Sequence, residues 1–451
     1  MSKPLTKAVD AVPDPSELEP LVQQILDESR RQGASAAEAG VSSEIGLSVN
    51  VRLGEVETVE YHRDRGLGVT VYFGARKGSA STADLRTDTV RDTVRAACDI
   101  ARYTAEDPYA GLADAARMAR VIPQLDLDHP WMLNADAAIE LTLACENAAR
   151  ELDPRITNSE GAGVNSHRGI RVYANTHGFM GGYASTRHSL SCAVIAQSEQ
   201  GMQRDYWYTV ARDRTELESA EAVGRRAAQR TLHRLDAKRL STRQAPVIYA
   251  AELAGGLLGH FLSAIRGGNL YRKASFLVDH LGKPVFPSFV QIQEQPHLPK
   301  ALGSAPFDSE GVETRARALV KDGVLQGYLL DSYAARKLGM ETTGNAGGAH
   351  NVIIQPGDHD LDGLLREMGT GLLVTELMGH GINLLTGDYS RGAAGYWVEG
   401  GELQYPVEEI TVAGNLRDIY RGLAAVGRDV DPRGNVRTGS LLIERMTIAG
   451  E

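Results

Sequence analysis

Zinc held on a helix needs two imidazoles about one turn apart, a third ligand and an open coordination position. The 12 histidines do not supply that pattern. No two lie within five residues of each other, and the nearest pairs, His350/His359 and His167/His177, are too far apart for one turn. Cys98, Cys145 and Cys192 all fall in the first half, so the second half offers no thiolate. Serine chemistry fares no better. In Gly387-Asp-Tyr-Ser-Arg-Gly392 the glycine stands three residues before Ser390, whereas a nucleophile elbow needs it two before. The triplet Arg437-Thr438-Gly439 lacks the Ser-x-x-Lys partner that a Lys-Thr-Gly-type site requires. No Gly-Lys-Ser/Thr phosphate loop is present, and Gly369-Thr-Gly371 reads as the end of a helix bearing Leu364, Leu365 and Met368.

The densest polar cluster is Thr375-Glu-Leu-Met-Gly-His-Gly-Ile-Asn383, followed by Thr386-Gly-Asp-Tyr-Ser-Arg391. Glu376, His380, Asn383, Asp388, Tyr389, Ser390 and Arg391 are candidates for a peptide-binding surface on glycine-permitted loops. The same residues also read as turn caps with one buried ion pair, Asp388 capping a turn and Arg391 meeting a carboxylate.

Several elements must position these residues. Leu18, Leu21, Val22, Ile25 and Leu26 fall at helical spacing, with Ser16 as N-cap and Gly33 as stop. The alternating runs Ile45–Leu53 and Leu67–Phe73 predict half-buried strands, and a helix follows near 89–103. Pro108, Pro123 and Pro130 mark a loop-rich boundary. A helix near 135–152, strands near 170–174 and 190–196, and a charged helix near 216–236 come next. In that last helix Arg225, Arg226 and Arg230 read as a solvated face. The runs 65–82 and 168–186 both end Ala-Ser-Thr, an echo consistent with either a degenerate repeat or chance. Pro246–Ala250 predicts a buried strand leading into a glycine-rich helix, and Asp322-Gly323 and Gly400-Gly401 predict hairpins. The pattern is α+β: a mixed/antiparallel N-terminal region and a β-rich, barrel- or sandwich-like C-terminal domain. The expected divisions are 1–122, 123–240 and 241–451.

The 451 residues carry a formal charge of −10, which argues against nonspecific binding to a nucleic-acid backbone. The longest apolar stretch, around Ala254–Ile265, is too short for a bilayer and contains His260, so no membrane span is expected. An odd number of widely spaced cysteines is no disulfide framework. Met1-Ser-Lys-Pro-Leu5 precedes no apolar run, and cytoplasm is the expected location.

Glu376-Leu-Met-Gly-His-Gly-Ile-Asn383, Thr386–Trp397 and Tyr405-Pro-Val-Glu-Glu-Ile-Thr-Val-Ala-Gly-Asn415 resemble the TldD/PmbA family, in its PmbA (TldE) branch. Ser185–Cys192 and Arg65-Gly-Leu-Gly-Val69 fit the same branch, so the resemblance covers nearly the whole chain. It implies one subunit of a cytoplasmic TldD/TldE zinc peptidase that degrades unfolded or modified peptides in a closed chamber. The family's roles include maturation of a peptide antibiotic that poisons DNA gyrase, and antitoxin degradation. In the family's TldD chains a His-Glu-x-x-x-His helix and a Cys near the C-terminus hold zinc. Carried over by register, the first His falls at Gly259, the general-base Glu at His260, the second His at Ala264 and the Cys at Thr438.

Glycine and alanine have no donor atom, and a neutral threonine hydroxyl is a poor zinc ligand. The resemblance therefore implies no metal and no catalytic residue in this chain, with zinc in a TldD-type partner. The partners it implies are that subunit, in a heterodimer or larger assembly, and peptide substrates; a homodimer when alone stays open. Two other readings stay open: a stand-alone adaptor of the gyrase-modulator type, and an independent non-metal hydrolase using Ser390 or His260.

Overall fold

The computed structural model describes residues 13–450. The first part runs α1 (Pro15–Arg31), β1 (Ala36–Arg52), β2 (Glu55–Phe73), β3 (Arg76–Thr82) and α2 (Thr87–Tyr103). A long connection leads to α3 (Ala135–Arg150), β4 (Ile156–Asn175), β5 (Met180–Ser198), β6 (Gly201–Ala211) and α4 (Ala220–His233). The six strands form one antiparallel sheet in the order β3-β2-β1-β4-β5-β6. At its centre β1 pairs with β4 from Glu38↔Asn175 to Val51↔Ala162.

Alternation along β1 decides which face is dry. Ala37, Ala39 and Val41 pack under α1 and α2 with Val69, Val71, Val90 and Val94. Leu47, Val49 and Val51 pack under α3 and α4 with Val164, Cys192, Trp207 and Val223. All four helices thus cover one face of the sheet. Along β1 the other face carries short or polar residues, with the buried Tyr72 and Tyr173 beside its first residues. Gly46 pairs with both His62 and His167, and the two rings stack across it at 6.0 Å because no side chain stands between them. The three cysteines are buried and free.

The two helix–three-strand–helix units are related by an approximate two-fold axis between β1 and β4. The Ala-Ser-Thr echo does not coincide with this repeat. It compares β2–β3 with β4–β5, one strand out of step with the equivalence of β1–β2–β3 to β4–β5–β6.

The remaining chain begins β7 (Arg243–Tyr249), α5 (Ala251–Ala264) and α6 (Gly267–Tyr271). Next come β8 (Ile292–Glu294), β9 (Arg317–Lys321), β10 (Val324–Leu325), α7 (Ser332–Leu338) and β11 (Val352–Ile354). Then follow α8 (Leu361–Met368), β12 (Gly371–Met378), β13 (Ile382–Asn383), β14 (Asp388–Glu399) and β15 (Glu402–Asn415). The chain finishes with α9 (Leu416–Arg421), β16 (Leu423–Val426), β17 (Val436–Arg437) and β18 (Leu441–Ala449). Strands β12, β7, β18, β15 and β14 close on themselves, since β12 pairs with β14 as well as with β7. This is a five-stranded barrel, with a smaller sheet β10-β9-β8-β11-β17 beside it.

Both predicted hairpin turns are present. Asp322 and Gly323 adopt φ of 50° and 74°, and Gly400 and Gly401 adopt 61° and 81°, the left-handed pair that a tight hairpin requires. At α1 the cap is Asp14, not Ser16: its carboxylate accepts the Ser16 N–H, and Glu17 returns a bond to the Asp14 N–H, completing a capping box. The charged helix starts at Ala220, four residues later than expected, because Arg214–Glu216 forms a separate 3-10 turn capped by Asp213.

Candidate functional site

α5 leaves barrel strand β7 through Ala250, whose N–H bonds to the Val374 carbonyl of β12. Its sequence is apolar on one side: Ala254, Leu257, Leu258, Phe261 and Leu262 are buried in the main core. Phe261 meets Phe286 edge-on at 5.1 Å, and the Tyr420 hydroxyl donates to the Leu257 carbonyl at 3.0 Å. The opposite side carries Gly256, Gly259, His260 and Ser263, spaced by three, four and seven along the helix. A Cβ added at Gly256 or Gly259 would meet nothing within 4 Å.

This helix is where the resemblance places the metal ligands, and the residues present do not fit a zinc ion. Gly259 offers no donor. Ala264 is fully buried on the core side. Thr438 is 1% exposed, and its hydroxyl donates to the Gly439 carbonyl at 2.8 Å. Thr438 follows β17, which contacts α5 where Val436 lies against Gly255. Among the described residues no three His, Cys, Asp or Glu side chains are grouped to share a metal ion.

His260 occupies the general-base position. Its half-buried ring stands edge-on to Tyr389 at 6.0 Å. Burial, and then the positive charge of Arg391, hold the imidazole below its ordinary pKa, which keeps it neutral at pH 7. Tyr389 is 2% exposed, and burial pushes its phenol up against the opposing influence of the Tyr249 hydroxyl and Arg391. The Arg391 Nε is buried without a hydrogen-bond partner. Among the described residues no ion pair joins Arg391 to the carboxylate expected for it; its charge acts instead on the Tyr249 and Tyr389 phenols and the His260 imidazole.

The seven candidates on β12–β14 separate into distinct environments. Glu376 pairs with Arg234, just past α4, at 2.5 Å. Asn383 caps a turn by accepting the Leu385 N–H, and Asp388 accepts from Thr386 and Asn415, which hold its carboxyl below the usual range. His380 and Ser390 are exposed. Alternation along β14 puts Tyr389 and Arg391 on the α5 side and Ser390 on the other. His260 thus packs against Tyr389 and not against Ser390, so these residues do not assemble a serine–histidine pair.

Sequence reasoning missed a cavity of about 890 Å³ between β6, α4 and the barrel, reaching the first turn of α5. Trp207, Arg226, Arg230, Glu252, Thr375 and Arg433 are among its lining. Arg226 and Arg433 lie over the Trp207 ring at 3.7 and 3.9 Å, and the indole N–H donates to Glu218. Arg230 bonds to Glu252 at 2.7 Å and lies 3.5 Å from Asp205. The arginines expected to form a solvated helix face are therefore divided. Arg225 and Arg226 are exposed, while Arg230 is drawn into this junction. No local pattern signals that, because its partners lie on β6 and α5.

Beside the cavity, β12 outruns its neighbour. β7 pairs only with Leu372–Val374, so past the bulge at Thr375 the residues Glu376–Met378 bond β14 on one side and show a free edge on the other among the described residues.

Residues 37–101, 128–235 and 242–450 match PmbA/TldA metallopeptidase domain 1, central domain and C-terminal domain. Metalloprotease PmbA of Escherichia coli O157:H7 is 53% identical over 93% of each chain. The metalloprotease TldD homolog of Haemophilus influenzae is 24% identical over 83% of this chain and 81% of its own. A crystal structure described as a modulator of DNA gyrase from Bacteroides thetaiotaomicron superposes with a TM-score of 0.92 at 30% identity, covering 96% of this chain and 99% of that one. TldE from Thermococcus kodakarensis shares the fold, with a TM-score of 0.82 at 20% identity over 95% of this chain and 100% of its own. With three matched domains in order and a relative more than half identical across nearly its whole length, the chain belongs to the PmbA/TldD metallopeptidase family, in its PmbA (TldE) branch.

Proposed function

We propose that this chain is the non-catalytic subunit of a peptidase whose zinc and hydrolytic groups reside in a TldD-type partner. The observation that carries the reading is a full family scaffold whose ligand positions hold Gly259, buried Ala264 and a Thr438 hydroxyl already engaged with Gly439. Its relatives bear the name metalloprotease, but this donor set cannot hold a metal by the family's geometry. Haemophilus influenzae contains relatives of both kinds, a PmbA homolog 49% identical and a TldD homolog 24% identical, consistent with two chains working together.

The chain's own contribution is to hold peptide. An extended segment adds to the free edge of β12 at Glu376–Met378 through main-chain hydrogen bonds, and its side chains enter the cavity lined by Trp207, Arg230 and Glu252. Main-chain recognition with a mixed-charge, part-apolar cavity suits unfolded peptides of varied sequence. Zinc and the base that would activate water for hydrolysis would be supplied by the partner, and no proton transfer falls to His260.

The test is cleavage of an unfolded peptide by the purified chain, by the TldD-type chain, and by both together. The mixture cleaves in a chelator-sensitive manner and the isolated chain does not. Zinc-dependent cleavage by the isolated chain would overturn the reading. An adaptor without peptidase function would instead co-purify with no TldD-type chain.

A further inference from the structure

The sheet face turned away from α1–α4 holds a second cavity, of about 360 Å³, which the peptide-holding role does not use. Strand pairing builds its floor. Glu44 stands opposite Gly169 and Gly169 opposite Ser185, while Gly46 stands opposite His167 and His167 opposite Arg187. Residues directly opposite share a face, so Glu44, His167, Ser185 and Arg187 project from the same side. Gly169 has no side chain, which leaves a hollow between Glu44 and Ser185. Arg212, just past β6, and Leu302, between β8 and β9, complete the lining.

Arg212 is only 8% exposed, and its guanidinium donates to the carbonyls of Ala301, Thr186 and Leu302 at 3.1, 3.1 and 3.0 Å. Those bonds use three of its five N–H groups and supply no negative charge. The carboxylates nearby are committed elsewhere. Asp213 holds Lys300 at 2.8 Å and accepts the Thr215 N–H, and Glu44 lies 3.1 Å from His167. Among the described residues no ion pair reaches Arg212. Burial holds its pKa below the ordinary value; the Tyr183 phenol opposes this and the like charge of Arg187 adds to it. Arg187 is exposed and makes no ion pair or hydrogen bond among the described residues. The His167 Nδ1, off the hydrogen-bond line to Glu44, is buried without a partner. A buried charge is ordinarily paired, because water no longer screens it. Here two guanidiniums line one cavity and neither has a counter-charge.

We propose that this cavity binds a small oxyanion, a carboxylate or a phosphate, held between the guanidiniums of Arg187 and Arg212. Either group presents two oxygens that match a planar guanidinium, and either supplies the missing counter-charge. Arg212 gives buried donors fixed by the three carbonyls, Arg187 closes from the exposed side, and the Ser185 hydroxyl is a further donor. Glu44 sets the limit of the site, since its carboxylate repels an anion from the opposite end. The volume is at the lower end of the ~300–1,000 Å³ of ligand pockets, so a small molecule carrying the oxyanion fits. Arg212 already ties the second unit to Ala301 and Leu302, so the anion sits on that seam and steadies it. The site needs only this chain and is independent of where zinc resides and of where peptide binds.

The experiment is calorimetric titration of the full chain with inorganic phosphate and, separately, with acetate, at ionic strength held constant with sodium chloride. One anion binds per chain and saturates, and the melting temperature rises over the same concentrations because only the folded chain binds. Whichever anion saturates at the lower concentration identifies the chemistry. Arg187→Gln weakens binding by roughly tenfold, the loss of a charge-assisted contact. It does not lower the melting temperature of the anion-free chain, because it removes a like charge beside Arg212. Glu44→Gln tightens binding by about threefold. Both positions are exposed, so these variants keep the fold, whereas replacing Arg212 also removes three bonds at the seam. No saturable binding of either anion into the tens of millimolar, or binding that neither Arg187→Gln nor Glu44→Gln alters, would overturn the proposal.

Discussion

Gly259 and Ala264 lie about 1.4 turns apart on one helix, at 3.6 residues per turn, in opposite surroundings. A Cβ at Gly259 meets open space, so Gly259→Ala should stabilise the chain by about 0.5–1 kcal/mol through helix propensity alone. Ala264 is fully buried, so Ala264→His should cost about 1–3 kcal/mol by overpacking. Calorimetric melting of the two variants should move in opposite directions, and rebuilding the family's ligands meets this steric obstacle first. His260 gives a second check. Its pKa lies below the ordinary value through burial and then through Arg391, so Arg391→Gln should raise it, read by NMR titration of the imidazole. The sign for stability follows: because the folded value is depressed, the unfolded chain takes up the proton first, and stability is lost as pH falls below about 6.5. The sequence register points to Gly259, His260 and Ala264 but carries no sign of the burial that separates them. It also mistook the environment of Arg391, because a strand's alternation names a face and not the rings opposite it.

Among the elements, hairpins were the most legible, because Asp322-Gly323 and Gly400-Gly401 carry their conformation in local residue type. Strand lengths were not. β1 and β2 run to 17 and 19 residues, well beyond the alternating runs that announced them. Residues 55–66 of β2 have no dry face, so no apolar period marks them as strand. Barrel closure was equally hidden, since it depends on a bulge. β14 shifts register between Ala393 and Gly395, and a Cβ at Gly395 would stand 1.8 Å from the Leu373 carbonyl of β12. Backbone cannot yield as a flexible side chain does, so Gly395→Ala should destabilise by about 1–3 kcal/mol or more, measured by denaturant unfolding. Gly400→Ala meets no such contact and should show only the strain of its positive φ.

At the scale of the whole molecule the deciding contacts join distant segments, and these leave no local trace. The β1–β4 ladder, the Arg234–Glu376 pair and the Trp207 cavity all belong to this class. So does the junction where Met118 of the long connection and Tyr173 and Phe179 of the second unit meet Phe307 and Val312. Beside it, burial and the Asp308 charge push the Glu310 carboxyl up to about 7, despite the Ser332 N–H it accepts. A raised carboxyl favours the fold while protonated in both states, below about 4.5, and that contribution is lost as pH rises through 7. Glu310→Gln should therefore stabilise the chain at pH 8 by on the order of 3 kcal/mol and change little at pH 4, by denaturant unfolding at both values.

No helix among the described residues is long and apolar enough to cross a membrane. The proposed division of labour between two chains is tested most directly by counting zinc. The chain is purified alone and after co-expression with a TldD-type partner, and metal is measured per mole of each. The account predicts about one zinc per heterodimer and none in this chain alone, as one three-ligand catalytic site in one subunit requires. Stoichiometric zinc in the isolated chain, lost when Thr438 or His260 is substituted, would contradict it.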